Sequence, residues 1–205
     1  AIRVSKSGKG DVRTLEEALA GVRPDGRIVF IEAGEYSTNV VLDDSARWNG
    51  VSLSATAEKV ILVPREPTKP IIDLDGIQGV TIDRLELETH GDSHAIRMTN
   101  CEGITLRGLK TRQTATRNKA TIQIIDCNLA RDASALQIFD CDVTTETDGQ
   151  CLWMQSEKSP VWNVSIAGNR FVGNERGTLV ALVFLPGKLE LRENTFAGAH
   201  VGLNM

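Results

Sequence analysis

The sequence predicts an all-β fold, a right-handed parallel β-helix built as a single-stranded solenoid, with a short N-terminal α-helix capping it. Three observations predict this. A set of short strands recurs every 24 to 32 residues or so from about residue 71 onward, the scale on which solenoids repeat. Within those strands apolar and polar residues alternate, so one face of each points inward. A helix-start signal and an amphipathic helical segment stand ahead of the repeat, where a cap belongs.

The repeat aligns on one strand: Val80-Thr-Ile82, Ile104-Thr-Leu106, Leu136-Gln-Ile138, Val164-Ser-Ile166 and Leu189-Glu-Leu191. Two further positions keep step with it. Leu85, Leu109, Cys141, Asn169 and Asn194 form one; Leu87, Thr111, Val143, Phe171 and Phe196 form the other. A second strand column precedes the first: Ile72-Asp-Leu74, Ile96-Arg-Met98, Ile122-Gln-Ile124, Leu152-Trp-Met154 and Val180-Ala-Leu182. An earlier unit, Val51-Ser-Leu53 with Val60-Ile-Leu-Val63, fits loosely. Turns such as Asp75-Gly76 and Gly168-Asn169 separate the columns.

One such unit cannot bury its own apolar face, but stacked units can, with like residues about 4.8 Å apart along the axis. A side chain such as Ile138, enclosed on all sides, would contribute about 1.5–3 kcal/mol. Asn169 and Asn194 would occupy one bend in successive coils, each bonding the backbone of its own turn and the asparagine above it. A sandwich or propeller would need antiparallel hairpins with two-residue turns, and the single Asn-Gly pair, Asn49-Gly50, lies before the regular region.

The start differs from the repeat. Thr14-Leu-Glu-Glu17 is a capping box, and Leu15, Ala18, Leu19 and Val22 share a helical face. Arg27-Ile-Val-Phe-Ile31 reads as a buried strand with a turn at Ala33-Gly34. A helix here would cover the open end of the stack, an edge otherwise free to recruit other chains. We expect one domain over residues 1–205, with cap and first coil in 1–50 and stacked coils in 51–205. Both ends read as cut from a longer chain.

Composition limits the function. Hydrophobic residues make up 41% and charged residues 24%, which permits a core and argues against disorder. No stretch approaches the roughly 18 continuous apolar residues of a membrane helix. A net charge of −4 argues against a nucleic-acid partner. The four cysteines, Cys101, Cys127, Cys141 and Cys151, contain no C-x-x-C pair. Cys101 and Cys127 fall at one place in adjacent coils, and in-register strands hold their Cβ atoms about 4.8 Å apart, wider than a disulfide takes. Both are expected to be reduced and structural.

The opening Val4-Ser-Lys-Ser-Gly8-Lys-Gly10-Asp-Val-Arg-Thr14-Leu-Glu-Glu-Ala18, with Arg27-Ile-Val-Phe-Ile31 and Gly34-Glu-Tyr36, resembles that of the pectin methylesterases and their pectin-lyase-like relatives. It spans the first ~40 residues; beyond them only the coil repeat is shared. The resemblance implies the β-helix fold. It carries over no catalytic residue, because the family's Asp-Phe-Ile-Phe-Gly and Leu-Gly-Arg-Pro-Trp segments do not occur here, nor do the Asn-Thr-Asp and Gly-His-Gly segments of polygalacturonases. The Ser-Lys-Ser-Gly-Lys-Gly opening is also loosely similar to β-helix regions attached to some bacterial serine/threonine kinases. That would make the chain a sensor or docking region, since it has no His-Arg-Asp, Asp-Phe-Gly or nucleotide loop.

Candidate site residues lie outward on the earlier strand column: Asp73, Arg97, Gln123 and Trp153, then Asp75, Thr99, Ile125 and Gln155. In pectin-lyase-like proteins this face commonly forms the sugar groove. Trp153 would stack on a sugar ring, Arg97 would fork a uronate carboxylate, and Gln123 and Gln155 would bond hydroxyls. The plainer alternative packs Trp153 under a loop near Pro160-Val-Trp162 and pairs Arg97 with Asp73. Asp73 and Asp75, and Asp126 with Asp140 and Asp142, supply carboxylates for acid–base work or calcium, although Asp126 and Asp140 also suit turns. His90-Gly-Asp92-Ser-His94 places two imidazoles and a carboxylate at alternate positions in a bend between coils, a weak metal or proton-transfer pattern. Ser7-Gly8-Lys9-Gly10 lacks phosphate-loop spacing and reads as a surface turn.

The reading favoured is a noncatalytic module binding a polysaccharide or a protein, with no cofactor other than calcium suggested and an extracytoplasmic setting favoured. The alternatives are a divergent polysaccharide lyase, hydrolase or esterase using Asp73, Arg97 or Asp126, and a spacer without a ligand.

Overall fold

Strands of three to six residues bury their apolar faces here by stacking on the corresponding strand of the next coil. The computed structural model describes residues 1–114, 119–146, 148–158, 160–174, 178–198 and 200–204. Among them run three sheets of eight, seven and seven strands, every pair parallel and every neighbour one coil away in sequence. About seven coils form a right-handed parallel β-helix.

The first sheet runs from Ile2–Val4 and Arg27–Phe30 through Ser52–Ala55, Thr81–Asp83, Thr105–Arg107, Leu136–Phe139 and Val164–Ala167 to Leu189–Arg192. The second contains Val40–Leu42, Ile72–Asp75, Ile96–Thr99, Ile122–Ile125, Leu152–Gln155, Thr178–Val183 and His200–Asn204. The third begins at Gly34–Thr38 and ends at Thr195–Ala197. Both strand columns read from the sequence are the observed registers. Ile72, Ile96, Ile122, Leu152 and Val180 are successive partners, as are Leu87, Thr111, Val143, Phe171 and Phe196. The interior is therefore a set of ladders, with Ile138 and Phe171 wholly buried and the rings of Phe171 and Phe196 stacked 5.6 Å apart.

The N-terminal helix, α1, spans Leu15–Gly21. Thr14 Oγ1 accepts the Glu17 amide at 3.1 Å, and Glu17 reaches back to the Thr14 amide at 3.2 Å. Leu15, Ala18 and Leu19 are buried against the first coil. Arg27–Phe30 differs from the fully buried run expected: Ile28 and Phe30 point inward, while Arg27 is exposed and Val29 half-buried. It pairs with Ile2–Val4, a strand too short for its period to register in the sequence. A second short helix, α2, covers Ser45–Trp48 and is capped by Asp44.

The turn Ser5–Gly10 wraps an internal anion. Glu32 accepts from Ser5 Oγ at 2.5 Å and from the Ser7 amide at 2.8 Å. Those hydrogen bonds pull the Glu32 carboxyl from its ordinary 4.5 down to about 2, and the Gly8 and Lys9 amides are taken by Ser5, so the turn's donors already have partners.

The asparagine pair carries the turn between the first and third sheets. Asn169 Oδ1 accepts the Cys141 amide at 2.9 Å, and its Nδ2 donates to the Ile138 carbonyl at 2.8 Å and to Asn194 Oδ1 at 3.0 Å. Asn194 Nδ2 donates to the Ile166 carbonyl at 2.7 Å. The asparagine-to-asparagine contact is as expected, but the backbone partners belong to the preceding coil and not to the residue's own turn. The ladder thus ties rung to rung.

Asn169→Ala leaves buried amide and carbonyl groups without partners and should lower stability by about 1–3 kcal/mol, read as an earlier urea midpoint. Because the Glu32 carboxyl titrates lower in the folded chain, its contribution is whole above pH 4.5 and is lost as pH falls toward about 2. Protection of the Ser7 amide, taken relative to its intrinsic exchange rate at each pH, should therefore fall on acidification across that window, and Glu32→Gln should remove that change in protection.

Candidate functional site

Parallel stacking turns alternate residues of each strand into straight outward rows. On the second sheet one row runs Val41, Asp73, Arg97, Gln123, Trp153, Ala181, and the next runs Asp75, Thr99, Ile125, Gln155, Val183. All four ligand residues expected from the sequence share this face. The structure splits them into two groups.

The first group is Asp73 and Arg97. Arg97 Nε donates to Asp73 Oδ1 at 2.9 Å, and its Nη2 closes a bidentate fork on Oδ2. Asp73 is 8% exposed, so the guanidinium is its main partner and not an optional one. The hydrogen bond to Asp73 holds Arg97 protonated more firmly than a free guanidinium, with a further contribution from Asp75. The plain alternative for Arg97 is the arrangement present.

The second group surrounds a depression of about 380 Å³, lined by Ala120, Gln123, Gln150, Trp153 and Gln155. Trp153 is half-buried, and its Nε1 donates to Gln155 Oε1 at 3.2 Å. Gln155 Nε2 in turn donates to Glu157 at 3.3 Å. Gln155 thus orients the indole. Gln123 and Gln150 are each half-buried. Buried bonds fix the floor. The His94 ring donates through Nδ1 to the Ala120 carbonyl at 2.6 Å; Thr121 Oγ1 meets Gln113 Oε1 at 3.2 Å; Gln113 Nε2 donates to the Ser93 carbonyl at 2.9 Å. Ala120 and Gln150 were not singled out from the sequence because they precede the strands. Each stands two residues ahead of a column residue, Ile122 and Leu152, and that offset was the available signal.

The remaining candidates are placed elsewhere. Asp126 has a left-handed backbone, φ 52°, at the turn after Ile122–Ile125. Burial alone would raise its pKa, but hydrogen bonds from Lys158, 3.2 Å away, and from Ser156 outweigh that and lower it. Asp140 is a turn residue of the same kind, and Asp142 pairs with Arg170 at 3.0 Å. His90 is exposed and shares a hydrogen bond with Thr114 Oγ1 at 2.9 Å, whereas His94 is buried, which lowers its pKa. The bend turns the two imidazoles of the His90-Gly-Asp92-Ser-His94 segment to different partners, His90 to Thr114 and His94 to the Ala120 carbonyl. Among the described residues no three His, Cys, Asp or Glu side chains gather as a metal or calcium site. All four cysteines are buried and free, and Cys101 donates its amide to Cys127 Sγ at 3.3 Å.

With this geometry in hand, the fold can be set beside known ones. A pectin methylesterase variant crystallised with a hexasaccharide superposes with a TM-score of 0.50 at 11% identity, over 88% of this chain and 70% of that one. The chain is similar in fold to pectin methylesterases. The enzyme of Erwinia chrysanthemi gives a TM-score of 0.48 at 10% identity over the same shares. At these identities the likeness is one of fold. No family model matches the chain, and no curated protein is significantly similar to it in sequence.

Arg97→Ala strands a nearly buried carboxylate and should cost about 1–3 kcal/mol, seen as a lowered urea midpoint. Replacing Asp73 and Arg97 together with Asn and Gln should restore part of the loss, because neither partner is then left charged and alone.

Proposed function

We propose that this chain is a noncatalytic β-helix module that binds a polysaccharide along the outer face of the second sheet. The observation that carries the reading is the depression around Trp153, an oriented indole flanked by the amides of Gln123 and Gln150. A sugar ring offers an apolar C–H face to an indole and hydroxyls to amides on either side. The pectin methylesterase of similar fold holds a hexasaccharide, which favours a sugar chain over a protein as the ligand here. Attached to a longer signalling chain, such a module would serve as its sensing or docking region.

Two features weigh against Asp73 and Asp126 as acid–base groups. Glycoside chemistry needs a carboxyl free to give or take a proton. Asp73 is forked by Arg97, and Asp126 is held by Lys158 and Ser156.

Incubation with polygalacturonate or methylated pectin, with and without calcium, should yield no unsaturated ends, no new reducing ends and no methanol; any of these products would make the chain an enzyme. On a glycan array the native chain should give a signal that Trp153→Ala loses. Equal signals from both proteins would remove the site.

A further inference from the structure

The charges on this face bear on which sugars it takes. A uronate carboxylate only accepts hydrogen bonds, and it is best met by an arginine fork. Among the described residues the two outward rows contain one cation, Arg97, and two carboxylates, Asp73 and Asp75. The Arg97 fork is already closed on Asp73. Releasing it to a uronate would leave Asp73, 8% exposed, without its partner. Asp75 is exposed and lies one rung below Thr99, so the lower part of the face carries excess negative charge. Lys158 at the rim is held between Asp126 and Asn100. Lys119 precedes Ala120 but does not line the depression, and His94 beneath it is buried with a lowered pKa.

The described residues that line the depression are all uncharged: three glutamines, one tryptophan and one alanine. The side chains of Gln123 and Gln150 make no hydrogen bond to any described residue, so both amides are open to solvent partners. An amide donates through nitrogen and accepts through oxygen, as a hydroxyl both donates and accepts. Amides beside an aromatic face therefore match a neutral sugar and offer a carboxylate no charge.

We infer that the site selects an uncharged polysaccharide and discriminates against polyuronate, with Gln123 and Gln150 as the hydroxyl-reading residues and the closed Asp73–Arg97 pair with exposed Asp75 as a fixed border of net negative charge. This rests on the carbohydrate-binding reading above and narrows it.

The test is affinity electrophoresis and calorimetry of the full chain against neutral polymers (galactan, arabinan, xyloglucan, glucomannan) and against polygalacturonate. At least one neutral polymer should bind, with affinity unchanged within about twofold when salt is raised tenfold, since no charge pair forms. Gln123→Ala and Gln150→Ala should each weaken it about tenfold, and Trp153→Ala by at least as much. The two glutamine variants lie on the surface and keep the test usable should the tryptophan variant misfold, which circular dichroism would reveal. Tighter binding of polygalacturonate, weakening with salt, would overturn the neutral-sugar inference and leave carbohydrate binding standing. Absence of binding to every polymer of both classes would overturn the parent reading and this one together.

Discussion

Every feature of this molecule depends on in-register parallel stacking, which makes a residue's nearest neighbour the one at the same place a coil away. Strands of three to six residues have little stability alone, and here each is hydrogen-bonded on both edges except at the ends of the sheets. A one-residue slip would turn Ile96, Met98, Ile122 and Ile124 outward together. The outward charges oppose such a slip. Asp73–Arg97, Asp83–Arg107, Glu86–Lys110 and Asp142–Arg170 all join directly opposed residues of neighbouring rungs. Exposed pairs contribute little to stability individually. Their placement matters more, because a shifted register sets other residues opposite these charges.

The turns obey the same constraint with polar side chains. Bending the chain three times per coil frees backbone groups that no strand satisfies, and many of them face inward. Asn169 and Asn194 take up such groups at one corner, Asn128 accepts the Gly103 amide at 2.9 Å at another, and Asn39 donates to the Pro70 carbonyl at 2.8 Å near the start. Gln113, Thr121 and His94 serve likewise beneath Ala120, inside the wall on whose outer side the depression opens. The rigidity of that depression comes from the polar interior behind it as much as from the strands.

The repeat was legible because stacking demands similar residues at like places, and that similarity survives in the text as columns such as Ile72, Ile96, Ile122, Leu152. The row Asp73, Arg97, Gln123, Trp153 followed from alternation alone. What stayed hidden depended on contacts that no local pattern encodes. Val40–Leu42 and Ile2–Val4 are three-residue strands, too short to show a period. Glu32 closes on Ser5 and Ser7 from more than 20 residues away. Ala120 and Gln150 keep step with Ile122 and Leu152 but stand just outside the strands, where alternation no longer tells which way a side chain points. The bonding pattern of Asn169 was half legible: its column was evident, but its bond to the Ile138 carbonyl of the preceding coil is a long-range contact that the column does not encode.

The outer face of the second sheet changes character along the axis, and this divides its labour. Its early rungs carry Val41, then Asp73 with Arg97, a hydrophobe and a closed ion pair whose bonding capacity is directed at each other. Its middle rungs carry Gln123, whose amide makes no hydrogen bond to a described residue, and Trp153, whose ring lines the depression while its Nε1 is held by Gln155. A closed pair is a poor partner for a ligand, because any new bond must first replace one already made. An open amide or indole face loses only solvent. On the binding reading proposed above, recognition falls to the rungs where stacking has left side chains uncommitted, and stability to those where it has paired them. The residue types alone offered Arg97, Gln123, Trp153 and Gln155 together as ligand residues, with pairing of Arg97 and Asp73 as the plainer alternative, and the closed fork is that alternative.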